Sequence, residues 1–106
     1  LTSIPTLSSD GTVEYEGTAI QPYREAAMET GKQLGAVCFD IGAEFAAMLE
    51  KCGTAEEKAA YFVPDSETST TFVHLSEQGA SYIAELVEKA LKNSDSVRVL
   101  KSYIPD

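Results

Sequence analysis

The sequence predicts an α/β chain, mostly helical, with one parallel strand. Three observations carry that expectation. Apolar residues recur at steps of three and four over residues 23–34, 43–52 and 80–91, the spacing of one helix face. A short apolar run, "AVCFDI" at 36–41, sits between Gly35 and Gly42, as a buried strand of a parallel sheet does. Helix, short loop, buried strand is half of a βαβ unit.

Residues 1–22 read as irregular. "SIPTLSSDGT" is rich in turn formers, Asp10-Gly11 suits a tight turn, and "TVEYE" alternates enough for a short extended piece. Pro22 fits the first turn of a helix, where its missing N–H is not needed. That helix runs to Leu34, with Tyr23, Ala26, Ala27, Thr30 and Leu34 on its inner face and Gly35 as a left-handed stop. After the strand, residues 43–52 place Phe45, Met48, Leu49 and Cys52 inward, and Gly53 ends the helix. Thr54 and Glu57 form a capping box for a short helix reaching about Tyr61, and Pro64 closes the region.

Residues 65–75 are a polar loop. Ser76 then caps a helix with the stripe Ala80, Ile83, Ala84, Val87, Leu91, and Lys89 and Lys92 suit its negative end. Val97–Leu100 adds an edge strand or packs on the surface.

The totals narrow the function. The 106 residues fit one domain at most, with 43% hydrophobic and 24% charged residues. A net charge of −9, spread evenly along the chain, excludes a basic nucleic-acid interface. No apolar run is long enough to span a membrane, so neither nucleic acid nor membrane is an expected partner. Cys38 and Cys52 match no zinc or redox spacing, and free buried thiols suit them better than a disulfide. One histidine cannot complete a His-rich metal site, and no cofactor or metal is expected. The chain opens on Leu1 rather than Met, which points to processing or a fragment.

His74 is the single histidine, just ahead of "LSEQGA". Read as a lone residue, it is a surface or helix-capping histidine. The motif and the order of elements add to that. "HLSEQGASYIAELVEKAL" and "YREAAMETGKQLGAVCFDIGAEFAAMLEKCG" resemble the C-terminal part of SGNH (GDSL-type) hydrolases, most closely the rhamnogalacturonan acetylesterase-like branch. The resemblance spans nearly the whole chain and rests on one short motif and an element order. It implies that residues 1–106 are the C-terminal part of one three-layer α/β/α, flavodoxin-like domain. It also implies serine-esterase chemistry on an acetylated plant-wall polysaccharide of pectin type, with His74 as the catalytic base, and an extracellular or cell-surface location. The expected partners are then the N-terminal remainder of that domain and the polysaccharide.

Two departures qualify the resemblance. Thr71 stands three residues before His74, where the family carries the aspartate that orients the imidazole. Asp65 is the nearest upstream aspartate, but its spacing differs. There is also no Gly-Asp-Ser block and no Gly-x-Asn-Asp, so acyl transfer lacks its nucleophile and oxyanion donors within these residues. The chain by itself is expected to be inactive and to associate rather than persist as a stable monomer. A non-catalytic remnant that keeps the scaffold, or an unrelated small α/β binding module, remains the alternative. Asp40 and Glu44 read as helix-start residues, and Phe72 and Tyr61 as packing residues that could also line a sugar subsite.

Overall fold

A computed structural model describes residues 1–15, 17–97 and 102–104. The segment expected to be irregular instead opens with a hairpin of β1 (Thr6–Ser8) and β2 (Val13–Glu14). Its turn lies where Asp10-Gly11 places it. The Gly11 N–H donates to the Ser8 carbonyl and the Ser8 N–H to the Thr12 carbonyl, both at 2.9 Å. Gly11 takes φ +90°, the left-handed position that closes a three-residue hairpin loop.

Helix α1 (Ile20–Leu34) stops at Gly35, whose φ of 71° matches the expected left-handed cap. The buried face is not the expected one. Tyr23, Ala26, Ala27, Thr30 and Leu34 all point to solvent, and α1 buries none of its residues completely. Gln21, Arg24, Met28 and Gly31 form the half-covered side. Gly31 belongs there because Cys38 Sγ occupies the space a β-carbon would take.

The parallel strand expected at 36–41 does not form. Residues 36–40 have no regular structure, and Ile41 opens helix α2 (Ile41–Lys51). An apolar run becomes a strand only when neighbouring strands satisfy its backbone, and no described strand pairs with this one. Asp40 instead begins the helix early, its carboxylate accepting the Ala43 N–H at 3.4 Å. The N-terminal arm lies alongside, with the Thr2 N–H on the Phe39 carbonyl at 3.2 Å.

Helix α2 buries Ile41, Phe45, Ala46 and Leu49, close to the expected face. Helix α3 (Ala55–Ala59) starts at Thr54, whose hydroxyl accepts the Glu57 N–H at 3.1 Å. Glu57 reaches back to the Gly53 N–H at 2.8 Å, so the capping box closes one residue earlier than the motif implies.

Three short strands follow: β3 (Phe62–Val63), β4 (Thr71–Phe72) and β5 (His74–Leu75). The first follows α3 after a turn at residues 60–61, and the other two lie within the expected polar loop. The described sheets are small and antiparallel, ordered β2-β1-β4 and β3-β5. The described residues are therefore α/β in composition, without the parallel sheet the sequence suggested.

Helix α4 (Glu77–Asn93) begins as expected, with the Ser76 hydroxyl accepting the Gly79 N–H at 3.1 Å. Its covered face is rotated from the expected stripe. Gly79 is buried and Tyr82, Ile83, Leu86, Val87 and Leu91 are half-buried, while Ala80 and Ala84 face water. Val97 ends a 3₁₀ turn at Asp95–Val97, and the rest of the expected edge strand lies outside the described residues.

The core gathers Leu7 from β1, Phe45 and Leu49 from α2 and Phe62 from β3. Phe45 is its centre, with the rings of Tyr61, Phe62 and Tyr82 at 6.1, 5.8 and 6.0 Å. Tyr61 and Phe72 both pack against this cluster. That is the packing role their sequence context favoured.

Candidate functional site

His74 is placed by a strand ladder. In the antiparallel pair β3–β5, Phe62 faces Leu75 and Val63 faces His74. Phe62 enters the core and Leu75 packs against it, so the alternation of strand side chains turns Val63 and His74 outward. Asp65 lies two residues past Val63, in the bend that follows β3, within reach of the imidazole. The outcome is a contact that sequence spacing argued against. His74 Nε2 lies 3.1 Å from Asp65 Oδ1. Both side chains are open to water, 66% and 58% exposed.

Thr71 does not occupy the carboxylate's place. It belongs to β4, in the other sheet, and pairs with Ser8. Val73 separates the two ladders, so a three-residue step along the chain does not bring Thr71 to the imidazole.

Behind His74, Ser76 ties the strand to the helix. Its hydroxyl donates to the Ala60 carbonyl at 2.6 Å, and its N–H donates to the Tyr61 carbonyl at 3.1 Å. Gly79 lets α4 approach, because a β-carbon there would run into the Tyr61 carbonyl oxygen. The imidazole therefore sits on a fixed strand–helix junction, at the mouth of α4.

Among the described residues, no hydroxyl hydrogen-bonds His74, and no three His, Cys, Asp or Glu side chains cluster as a metal site would require. Ser66, Thr68 and Ser69 bond one another. The Ser66 N–H reaches Ser69 Oγ at 2.9 Å, and Ser66 Oγ lies 3.2 Å from Thr68 Oγ1.

A second polar cluster surrounds Asp40. Its carboxylate receives Arg24 Nε at 3.0 Å on each oxygen and the Thr2 hydroxyl at 2.8 Å. Arg24 Nη2 also donates to it. The Arg24 hydrogen bonds hold the Asp40 carboxyl below its ordinary value, helped by Thr2 and opposed by burial. Every donor here builds structure, in line with the sequence reading of Asp40. Glu44 lies in the first turn of α2, also as read. A groove of about 650 Å³ runs between α1 and Cys38, lined by Arg24, Met28 and Lys32 among others, and His74 is not part of its lining. Cys38 and Cys52 are free thiols, half-buried rather than fully buried.

No protein-family model, curated protein or solved structure matches this chain. Within the described residues, no helix is long and apolar enough to cross a membrane.

Proposed function

We propose that this chain is part of a carbohydrate esterase that removes acetyl groups from a pectin-type plant cell-wall polysaccharide, with His74 as its general base. The supporting observation is the placement of His74. Its imidazole faces solvent from β5, two residues ahead of the Ser76 cap, on a backbone held by the Tyr61 and Ala60 carbonyls. A base must be accessible to the hydroxyl it deprotonates and fixed in position, and this junction provides both.

In that reaction His74 takes the proton of a serine hydroxyl as the serine attacks the acetyl carbonyl. It then gives that proton to the departing sugar oxygen, and by activating a water it releases acetate from the acetyl-serine. The serine and the oxyanion donors would come from polypeptide outside these 106 residues, forming the SGNH-type three-layer domain around this segment.

The test is acetate release from acetylated pectin by the polypeptide that carries this sequence. Release that depends on His74 supports the reading. Release that survives His74→Ala, or none from the intact polypeptide, rejects it.

A second reading is a non-catalytic scaffold or interaction domain. It is favoured by Thr71, which stands where the resemblance expects the orienting carboxylate and lies in a different ladder from His74.

A further inference from the structure

We propose that Asp65 is the positioning residue of His74, holding Nε2–H and leaving Nδ1 as the nitrogen that accepts the proton. This rests on the reading of His74 as a base.

The chemistry follows from the contact. An ionised carboxylate only accepts hydrogen bonds, so the nitrogen 3.1 Å from Asp65 Oδ1 carries the hydrogen. Neutral His74 is then the Nε2–H tautomer, and its free lone pair is on Nδ1. The usual serine-hydrolase arrangement is the reverse, with the carboxylate on Nδ1. A serine served by His74 must therefore approach from the Nδ1 edge.

The loop holds Asp65 from both sides. On the N-terminal side, the β3–β5 ladder fixes Val63, and Pro64 restricts the one intervening residue. On the C-terminal side, the hydroxyl residues close a turn. The Ser66 N–H donates to Ser69 Oγ at 2.9 Å, and the Ser69 N–H returns to the Ser66 carbonyl at 3.2 Å. The Ser9 N–H then anchors the Thr70 carbonyl to the hairpin at 2.9 Å. The run of Ser and Thr ahead of His74 thus shapes the loop that presents its carboxylate.

The chain has one histidine, so imidazole ¹⁵N shifts can be read without assignment. In alkaline buffer the 106-residue chain should show a protonated Nε2 and a bare Nδ1. Asp65→Ala should move both shifts toward the averaged values of a free imidazole, and Ser69→Ala should move them partway. Asp65 is exposed, so its replacement should not unfold the chain. In the esterase itself, Asp65→Ala should lower kcat by about two- to fivefold, the scale of an exposed ion pair, at unchanged KM. Asp65→Glu should restore part of it. A protonated Nδ1 in the parent chain, or shifts identical in parent and Asp65→Ala, would overturn the proposal. If His74→Ala abolishes activity while Asp65→Ala changes neither shifts nor kcat, the positioning role fails and the esterase reading stands. If His74→Ala leaves activity intact, the esterase reading fails whatever the shifts show.

Discussion

Arg24 holds Asp40 from the preceding helix, sixteen residues away, with its Nε 3.0 Å from each carboxylate oxygen. The same carboxylate caps α2 through the Ala43 N–H and takes the Thr2 hydroxyl. One side chain thus joins the N-terminal arm, α1 and α2, and its side chain is only 25% exposed.

That arrangement makes stability depend on acid pH. Because Arg24 lowers the folded pKa of Asp40 below 3.8, the folded state binds fewer protons than the unfolded chain in the acid range. The contribution is fully present above the unfolded value and is lost as pH falls through the folded one. Asp40→Asn keeps a capping oxygen but loses the charge. It should cost about 2 kcal/mol at neutral pH, the scale of a hydrogen bond to a charged group. The gap between variant and parent should shrink below about pH 4, and urea melts across pH measure it. A gap that stays constant with pH would contradict the assignment.

Gly79 should tolerate no side chain. Its β-carbon would meet the Tyr61 carbonyl, a backbone atom that cannot swing aside. Gly79→Ala should destabilise the chain by about 1–3 kcal/mol, although alanine is the better helix former. Gly35→Ala is the comparison, since that site has open space and only its φ of 71° to oppose the change. Thermal melts of both separate packing from backbone strain.

Several of these features were legible in the sequence. Gly35, Thr54, Ser76 and Asp40 all act as read, because a cap depends on residues three or four positions away. Helix faces were less so. The spacing marks the apolar positions of α1, but nothing in the described fold covers them, and the close approach at Gly79 turns α4 away from Ala80 and Ala84. The strand at 36–41 required partner strands, which no local rule provides. The Asp65–His74 contact depends on a ladder between residues 62–63 and 74–75. The only sequence trace of it is the alternation that sends Phe62 and Leu75 inward and Val63 and His74 outward.

The uncovered face of α1 has a consequence in solution. Tyr23 and Leu34 are 72% and 79% exposed, with Ala26 and Ala27 between them. The radius of gyration is 15.1 Å, against about 13 Å for a compact domain of this length. Apolar surface of this kind drives association. Sedimentation velocity of the 106-residue chain should show self-association that Tyr23→Glu and Leu34→Glu reduce. A monomer with a cooperative melt, unaffected by these changes, would contradict it.

The central claim is that His74 is a base. The most direct measurement is the hydrolysis of p-nitrophenyl acetate by the polypeptide that carries this sequence, compared with its His74→Ala variant at matched folding. The account predicts a loss in kcat of about three orders of magnitude or more, as when a catalytic histidine is removed. Equal rates in the two proteins would contradict it.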